Sequence, residues 1–268
     1  MGRKINNIKL FINDNDKSRL VAKDLELELK KYGFNIVDQD YELAISVGGD
    51  GSFLRMVKET NFNRNIYYIG VNSGTLGFLQ EIDIADTKDF VKRLNIDNYK
   101  TDDISIQETK VITEDEIYTF NSLNEVIVRR KNFNTLKIPV YVDDELLENF
   151  TGDGLLISTA TGTTAYNVSF GGSIVYNTIK ALSLTPIAPL NNKAYKSLIV
   201  PVIIPEDKTI ILPTEKGNDD LFLMIDGVNK EFDNVIKIET KVGSRTIRCL
   251  RMNDYHFIKR INEKMLEK

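Results

Sequence analysis

The sequence predicts an α/β domain with a parallel sheet, then a β-rich, sandwich-like domain, then a C-terminal helix that returns to the first domain. Three observations carry that prediction. Over the first hundred residues short apolar runs alternate with amphipathic stretches, as strands and helices do in a parallel sheet. Beyond Tyr99 this alternation gives way to β-prone runs separated by turn signals. The stretch Gly48-Gly49-Asp50-Gly51 lies between an apolar run and a helix start, where open α/β sheets place ligands. The expected boundaries are 1–100 with 251–268 for the α/β domain and 101–250 for the β-rich domain.

Each element has its own justification. Ile8 to Ile12 reads as a first strand, and Asn13-Asp14-Asn15-Asp16 as a turn able to cap a helix. Lys17 to Tyr32 sets leucines and a valine among charges, an amphipathic helix stopped by Gly33. Phe34 to Val37, Leu43 to Val47 and Ile66 to Val71 read as further strands. Ser52 to Lys58 and Thr87 to Leu94 read as helices, and Asn72 to Phe78 as a glycine-containing loop. In the β-rich part, strands are expected at 110–113, 117–120, 125–128, 137–142, 197–204, 209–212, 221–225, 235–239 and 246–250. Val142-Asp143-Asp144-Glu145 reads as a hairpin turn, and Tyr255 to Leu266 as the last helix.

Composition narrows the function. The chain has 268 residues, 42% hydrophobic and 28% charged, enough for two domains with sizeable cores. A net charge of -4 gives no basic surplus for nucleic acid. The single cysteine, Cys249, excludes an internal disulfide and a multi-cysteine zinc site, and fits a reducing compartment. With one histidine, His256 in the C-terminal tail, proton transfer falls to carboxylates. Neither a secretory leader nor a membrane-spanning run is expected.

Four clusters carry chemistry. In the Gly-Gly-Asp-Gly turn, glycines allow close backbone approach to a phosphate and the following helix start favours an anion. Asp50 would repel a phosphate, so it points to work on a hydroxyl or to a metal shared with phosphate. Asn124-Glu125 can clasp ribose hydroxyls, or be an ordinary turn before the strand Val126-Ile127-Val128. Thr151 to Ser173 brackets a short apolar strand with Gly-Asp-Gly and a hydroxyl-rich turn, rich in donors for phosphate or ribose. Its plainer reading is a strand-to-helix connection with Thr163 or Thr164 as N-cap. Asp226-Gly227 is first a hairpin signal. The chain carries no Walker A pattern, no protein-kinase signature and no Gly-x-Gly-x-x-Gly turn.

Taken together and in this order, these residues resemble the NAD kinases of bacterial type. The resemblance spans nearly the whole chain and rests on Gly48-Gly49-Asp50-Gly51, Asn72 to Phe78, Asn124-Glu125, Thr151 to Ser173 and Asp226-Gly227. It implies an active site between the two domains. It implies transfer of the γ-phosphoryl group of ATP to the 2′-hydroxyl of the adenosine ribose of NAD, with Mg²⁺ or a similar divalent ion. It also implies a cytoplasmic homo-oligomer, a tetramer or dimer, acting without nucleic acid or membrane. By the same resemblance Asp50 accepts the proton of the 2′-hydroxyl, or orients that hydroxyl and the metal. Gly51, Arg55 and Asn72 lie at the nucleotide, Phe78 is a candidate adenine contact, and Asn124 and Glu125 contact ribose. Asp153 lies at the nicotinamide end, and Ala188 lines the pocket. Ser158, Thr161, Thr164, Ala165, Tyr166, Asn167 and Ser169 form the wall of the NAD site. Asp226 reaches in from the β-rich domain or from a neighbouring subunit. No residue is assigned as a metal ligand. Ser52 and Thr163 are conservative departures from the family pattern, and Thr151 replaces a basic residue of some relatives. A lipid or sugar kinase sharing the Gly-Gly-Asp-Gly turn, and a non-catalytic dinucleotide sensor, are the alternatives.

Overall fold

The computed structural model describes residues 4–74, 77–215 and 220–266. Thr75 and Leu76, part of the expected Asn72 to Phe78 loop, lie outside the described residues. The chain runs β1 (Asn7–Ile12), α1 (Asp16–Lys31), β2 (Asn35–Ile36), β3 (Leu43–Gly48), α2 (Asp50–Glu59), β4 (Tyr67–Asn72), β5 (Ile82–Asp83), α3 (Thr87–Asn95) and β6 (Tyr99–Thr113). It continues through β7 (Ile117–Ser122), β8 (Glu125–Arg130), β9 (Leu136–Val142), β10 (Glu145–Gly152), β11 (Gly154–Thr159), β12 (Ala181–Ile187) and β13 (Val202–Pro205). The last elements are β14 (Thr209–Pro213), β15 (Leu221–Ile225), β16 (Val228–Phe232), β17 (Val235–Met252) and α4 (Phe257–Ile261). Two compact units form, Met1–Ile104 with Thr246–Lys268, and Ser105–Arg245.

In the first unit β2, β1, β3 and β4 pair in parallel, and Arg248 and Cys249 of β17 pair in parallel with Tyr67 and Tyr68 beyond β4. Every residue of β3 and β4 is buried, which is why both read as unbroken apolar runs rather than as alternation. The Asn15 side chain caps α1 by accepting from the Ser18 amide at 2.8 Å. Val21, Ala22, Leu25 and Leu29 of that helix recur three and four apart and turn its apolar stripe into the core. Cys249 is buried, and desolvation pushes its thiol up to about 12.

In the second unit β13, β12, β11, β8, β15 and β16 form a six-stranded sheet, antiparallel throughout. A further set of antiparallel strands pairs β10 with β9, β9 with β14, and β14 with the first part of β17. Leu155, Ile157 and Leu184 from one sheet and Ile138, Val140 and Leu212 from the other fill one core, so the two sheets make a sandwich. The other face of β11 is covered as well: Leu156 packs with Ile127, Ile187 and Phe170.

The structure departs from the sequence expectations at several elements, β6 (expected only over 110–113), β10 and β16 among them. Residues 197–201 are not strand, and only Val202–Pro205 pairs. Val235 to Glu239 and Thr246 to Leu250, expected as two strands, are one eighteen-residue strand. Its middle stays extended and pairs with β6, whose Gln107 and Thr109 side chains bond to Thr240, each at 2.8 Å. β12 was hidden by Pro186, which is tolerated because β13 stops pairing at Leu184 and leaves Pro186 only the β11 neighbour Leu155. The C-terminal helix is shorter than expected: α4 ends at Ile261 and a wider turn continues to Leu266.

Candidate functional site

In the first unit the site is built around Asp50, the first residue of α2. Its carboxylate is held by backbone. The Phe78 amide donates to Oδ2 at 2.8 Å and the Leu79 amide to Oδ1 at 2.9 Å. Burial moves the carboxyl above its ordinary range, against those amide bonds and the Arg260 charge, which favour ionisation. The turn admits no side chain at position 48, where a Cβ would stand 2.1 Å from Ser52 Oγ. Gly51 is exposed at the head of α2. Arg55 turns back, donating to the Ile12 carbonyl at 3.0 Å, with Glu59 3.7 Å away. Asn72 is buried and occupied: it donates to Asp83 at 3.2 Å and accepts from the Gly74 amide at 2.9 Å. It shapes the loop after β4. Phe78 is partly exposed and contributes its amide to Asp50.

In the second unit the centre is Asn124-Glu125 at the start of β8. A carboxylate holds this turn in place. Asp226 accepts from the amides of Leu123 (2.7 Å), Asn124 (2.8 Å) and Glu125 (3.2 Å). Asp226 and Gly227 have φ of 45° and 77°, the type I′ signature of a two-residue hairpin between β15 and β16. Asp226 therefore fixes a turn of its own chain. Asn124 and Glu125 are 6% and 5% exposed, yet Asn124 Oδ1 and Glu125 Oε2 have no hydrogen-bond partner among the described residues. Buried polar atoms in folded proteins are nearly always paired, so two adjacent orphans make this pair a candidate ligand site. Burial first, and the Asp226 charge second, push the Glu125 carboxyl up to about 8.

The hydroxyl-rich turn packs directly on this pair. The Thr159 amide donates to the Asn124 carbonyl at 2.9 Å, and Thr159 Oγ1 donates to the Leu123 carbonyl at 2.6 Å. Gly162 lies so close to the Asn124 carbonyl that a Cβ there would stand 2.1 Å from its oxygen. The chain then makes two 3-10 turns, Thr161–Thr164 and Tyr166–Phe170, rather than a capped α-helix. Thr163 does not cap: its hydroxyl donates to the Ala160 carbonyl and accepts from the Val175 amide. Thr161, Thr164 and Ala165 are partly exposed, Tyr166 and Ser169 are exposed, and the Tyr166 ring leans on Phe170 at 4.8 Å. Ser158 is fully buried and donates to the Thr159 carbonyl.

Three of the expected residues, Asn167, Asp153 and Ala188, are placed differently from the rest. Asn167, expected in the wall of a ligand site, is fully buried and spent internally. It donates to the Thr163 and Ser173 carbonyls and accepts from Thr185 at 2.7 Å. It is a structural tie. Asp153 and Ala188 form a separate cluster, with the Asp153 amide donating to the Ile187 carbonyl at 3.0 Å. They stand at the opposite end of β11 from Ser158, which pairs with Glu125, roughly 15–20 Å away along the strand. Both are exposed, and Ala188 adopts a left-handed φ of 43°, rare for alanine.

Sequence reasoning missed Gln80 and Arg260. Gln80 is fully buried, donates to the Gly49 carbonyl at 2.6 Å and accepts from Ser46 at 3.0 Å, joining strand β3 to its turn. Its partners lie more than thirty residues away, so no local pattern announces it. Among the described residues no three His, Cys, Asp or Glu side chains stand close enough to hold a metal ion. No helix there is long and apolar enough to cross a membrane.

Comparison with known proteins completes the picture. A family model for the ATP-NAD kinase N-terminal domain matches residues 7–99, and one for the ATP-NAD kinase C-terminal domain matches residues 123–248. The chain is 34% identical to the NAD kinase of Finegoldia magna, over 97% of each chain. It is 33% identical to that of Latilactobacillus sakei over 96% of each, and 35% identical to that of Lactobacillus acidophilus over 94% of each. Its fold matches yeast NADH kinase complexed with NADH at a TM-score of 0.85, with 21% identity, over 97% of this chain and 87% of that one. It matches an NAD kinase from Archaeoglobus fulgidus in complex with ATP at 0.71, with 19% identity, over 96% of each.

Proposed function

The chain belongs to the ATP-NAD kinase family, and from that premise we propose that it transfers the γ-phosphoryl group of ATP to the 2′-hydroxyl of the adenosine ribose of NAD, making NADP. The observation that carries the reading is the pair of buried, unpartnered oxygens on Asn124 and Glu125. A ribose presents two adjacent hydroxyls, and an amide beside a carboxyl matches them. Asp226 and Gly162 support the pair by fixing the backbone beneath it.

Asp50 is the group we assign to the reacting hydroxyl. A ribose hydroxyl is a weak nucleophile at neutral pH, and a positioned carboxylate can accept its proton as the bond to phosphorus forms. Two amides aim the Asp50 carboxylate, and each oxygen still has a free lone pair. Its raised pKa suits a proton acceptor better than an ordinary exposed carboxylate does. A divalent ion of the Mg²⁺ type, carried on the nucleotide phosphates, would belong to the same proposal. When bound there, it neutralises phosphate charge.

Gly51, Arg55, Asn72 and Phe78 on the first unit, and Thr161, Thr164, Ala165, Tyr166 and Ser169 on the second, remain the proposed nucleotide contacts, with Ser158 beneath them. A homo-oligomer, dimer or tetramer, in the cytoplasm belongs to the same proposal. Exposed apolar side chains on the second unit, including Tyr176, Ile179, Ile199 and Val200, support it. The distance along β11 supports giving Asp153 and Ala188 to the site of a second copy in that oligomer. The parallel pairing of β1 to β4 and the placing of α4 within the first unit support the expected α/β domain with its returning C-terminal helix.

The test is a coupled assay. Purified protein is incubated with ATP, Mg²⁺ and NAD, and NADP is detected with an NADP-specific dehydrogenase. NADP formation that needs both substrates is the expected result. NAD binding with no product from ATP or polyphosphate would replace the kinase with a dinucleotide sensor. Neither binding nor product would overturn the reading.

A further inference from the structure

Asp50 is gripped by the segment 77–80, and that segment is gripped in turn from the C-terminal tail. Arg260, on α4, is 8% exposed, although arginine is seldom buried without strong partners. Its Nη2 donates to the Gly77 carbonyl at 3.1 Å and, more closely, to the Gln80 carbonyl. The carbonyl of Gly77 and the amide of Phe78 belong to one peptide group. That group therefore takes a guanidinium on its oxygen side and gives its hydrogen to Asp50 on the other, at 2.8 Å. Hydrogen bonds in series through one peptide polarise and align each other.

The tail that supplies Arg260 is itself anchored. Arg251 donates to Glu81 at 2.7 Å and to Asp102 at 3.1 Å, and its guanidinium lies 4.5 Å from the centre of the Tyr255 ring. The Met252 amide donates to the other Glu81 oxygen at 2.5 Å. Residues 77–81 are thus tied to the tail at both ends, and the two amides that aim Asp50 lie between the ties.

From this chain of contacts we propose that Arg260 is a positioning residue for Asp50. It fixes the peptide groups of residues 77–80, and through them the direction of the Asp50 carboxylate, without touching substrate itself. The inference rests on the proposed kinase reaction. A reacting group displaced by about 1 Å loses on the order of 100-fold in rate, so a support of this kind shows in kcat rather than in binding.

The experiment compares wild type, Arg260→Gln and Arg260→Lys in the NADP-forming assay, with KM for ATP and NAD and a thermal melt for each. The expected result for Arg260→Gln is a kcat lower by about 10- to 100-fold, with both KM values within about threefold of wild type. Arg260→Lys keeps the charge but not the planar fork, and is expected to recover part of that loss. If Arg260→Gln does not unfold cooperatively, Arg260→Lys carries the test. A kcat below wild type at unchanged KM then supports the proposal, and a wild-type kcat overturns it. A wild-type kcat in folded Arg260→Gln, or KM values rising in step with the fall in kcat, would also overturn it while leaving the kinase reading in place. An inactive wild-type protein would overturn that reading, and this inference with it.

Discussion

Asp50 and Glu125 are two buried carboxyls, each pushed toward its neutral form by burial, and they are built in opposite ways. Asp50 is aimed by its own protein: the backbone of 77–80 supplies two amides, and Arg260 holds that backbone from behind. Glu125 is left unsatisfied. The neighbouring carboxylate, Asp226, spends itself on the amides of the turn, and Glu125 Oε2 and Asn124 Oδ1 stay without partners among the described residues. The difference separates two tasks. A group that must meet a reacting atom needs its direction fixed beforehand. A group that recognises hydroxyls needs free hydrogen-bonding capacity, filled only when the ligand arrives.

The sharpest way to break this contrast is at Asp50. Asp50→Asn is expected to lower kcat by about 10²- to 10⁴-fold, the usual range for a lost proton acceptor. One of the two amides also loses its acceptor, at a cost of about 1–3 kcal/mol in stability. NAD affinity measured by calorimetry should change little, and a near-normal kcat would remove Asp50 from the reaction. Next comes the clamp. Asp226→Asn keeps a residue that tolerates the left-handed backbone, but turns an NH₂ toward an amide it used to accept. KM for NAD is expected to rise about tenfold with kcat less affected, at about 1–2 kcal/mol for the damaged bonds. An unchanged KM would show that the turn holds itself.

Glu125→Gln sharpens the other side. The Glu125 carboxyl has a folded-state pKa of about 8, above its unfolded value near 4.3. Between those values the folded chain holds a proton that the unfolded chain has released. Stability from this group is therefore complete below about pH 4.3 and falls as pH rises toward about 8. Glu125→Gln should flatten that slope and raise Tm at pH 8 by a few degrees, while weakening NAD binding about three- to tenfold. A melting profile with the same slope in both proteins would mean that Glu125 is already ionised in the fold. The smallest effect on activity is expected at Asn167. Asn167→Ala should cost about 1–3 kcal/mol in stability and leave KM for NAD within about twofold. A large KM change there would return Asn167 to the ligand site.

These contrasts also mark how much the sequence could show. β3 and β4 were legible because strands buried on both faces read as continuous apolar runs, and α1 because its stripe recurs every three to four residues. Asp226-Gly227 was legible as a turn, since few pairs of residues accept two left-handed conformations in succession. The clamp it forms was not, because its three amides lie about a hundred residues earlier. Asn167 carries the same small polar chemistry as its neighbours, and only the packing of Thr185 and Ser173 around it shows that its bonds are spent. Arg260 sits in a charged tail of ordinary composition, and nothing nearby in sequence hints at carbonyls 180 residues away. Local periodicity reported the scaffold, and the supports of the site were set by long-range contacts.

Cys249 has a practical consequence. It is the chain's one thiol, it lies inside the sheet of the first unit, and desolvation keeps it protonated to about pH 12. Since the thiolate is the nucleophile, the folded protein should be inert to maleimides at neutral pH. The chain also contains no tryptophan. The native protein thus has no indole and no reactive thiol of its own, so one cysteine introduced at exposed Tyr166 would carry a dye alone, and one tryptophan placed at Phe78 would be the sole indole to report on the surroundings of Asp50.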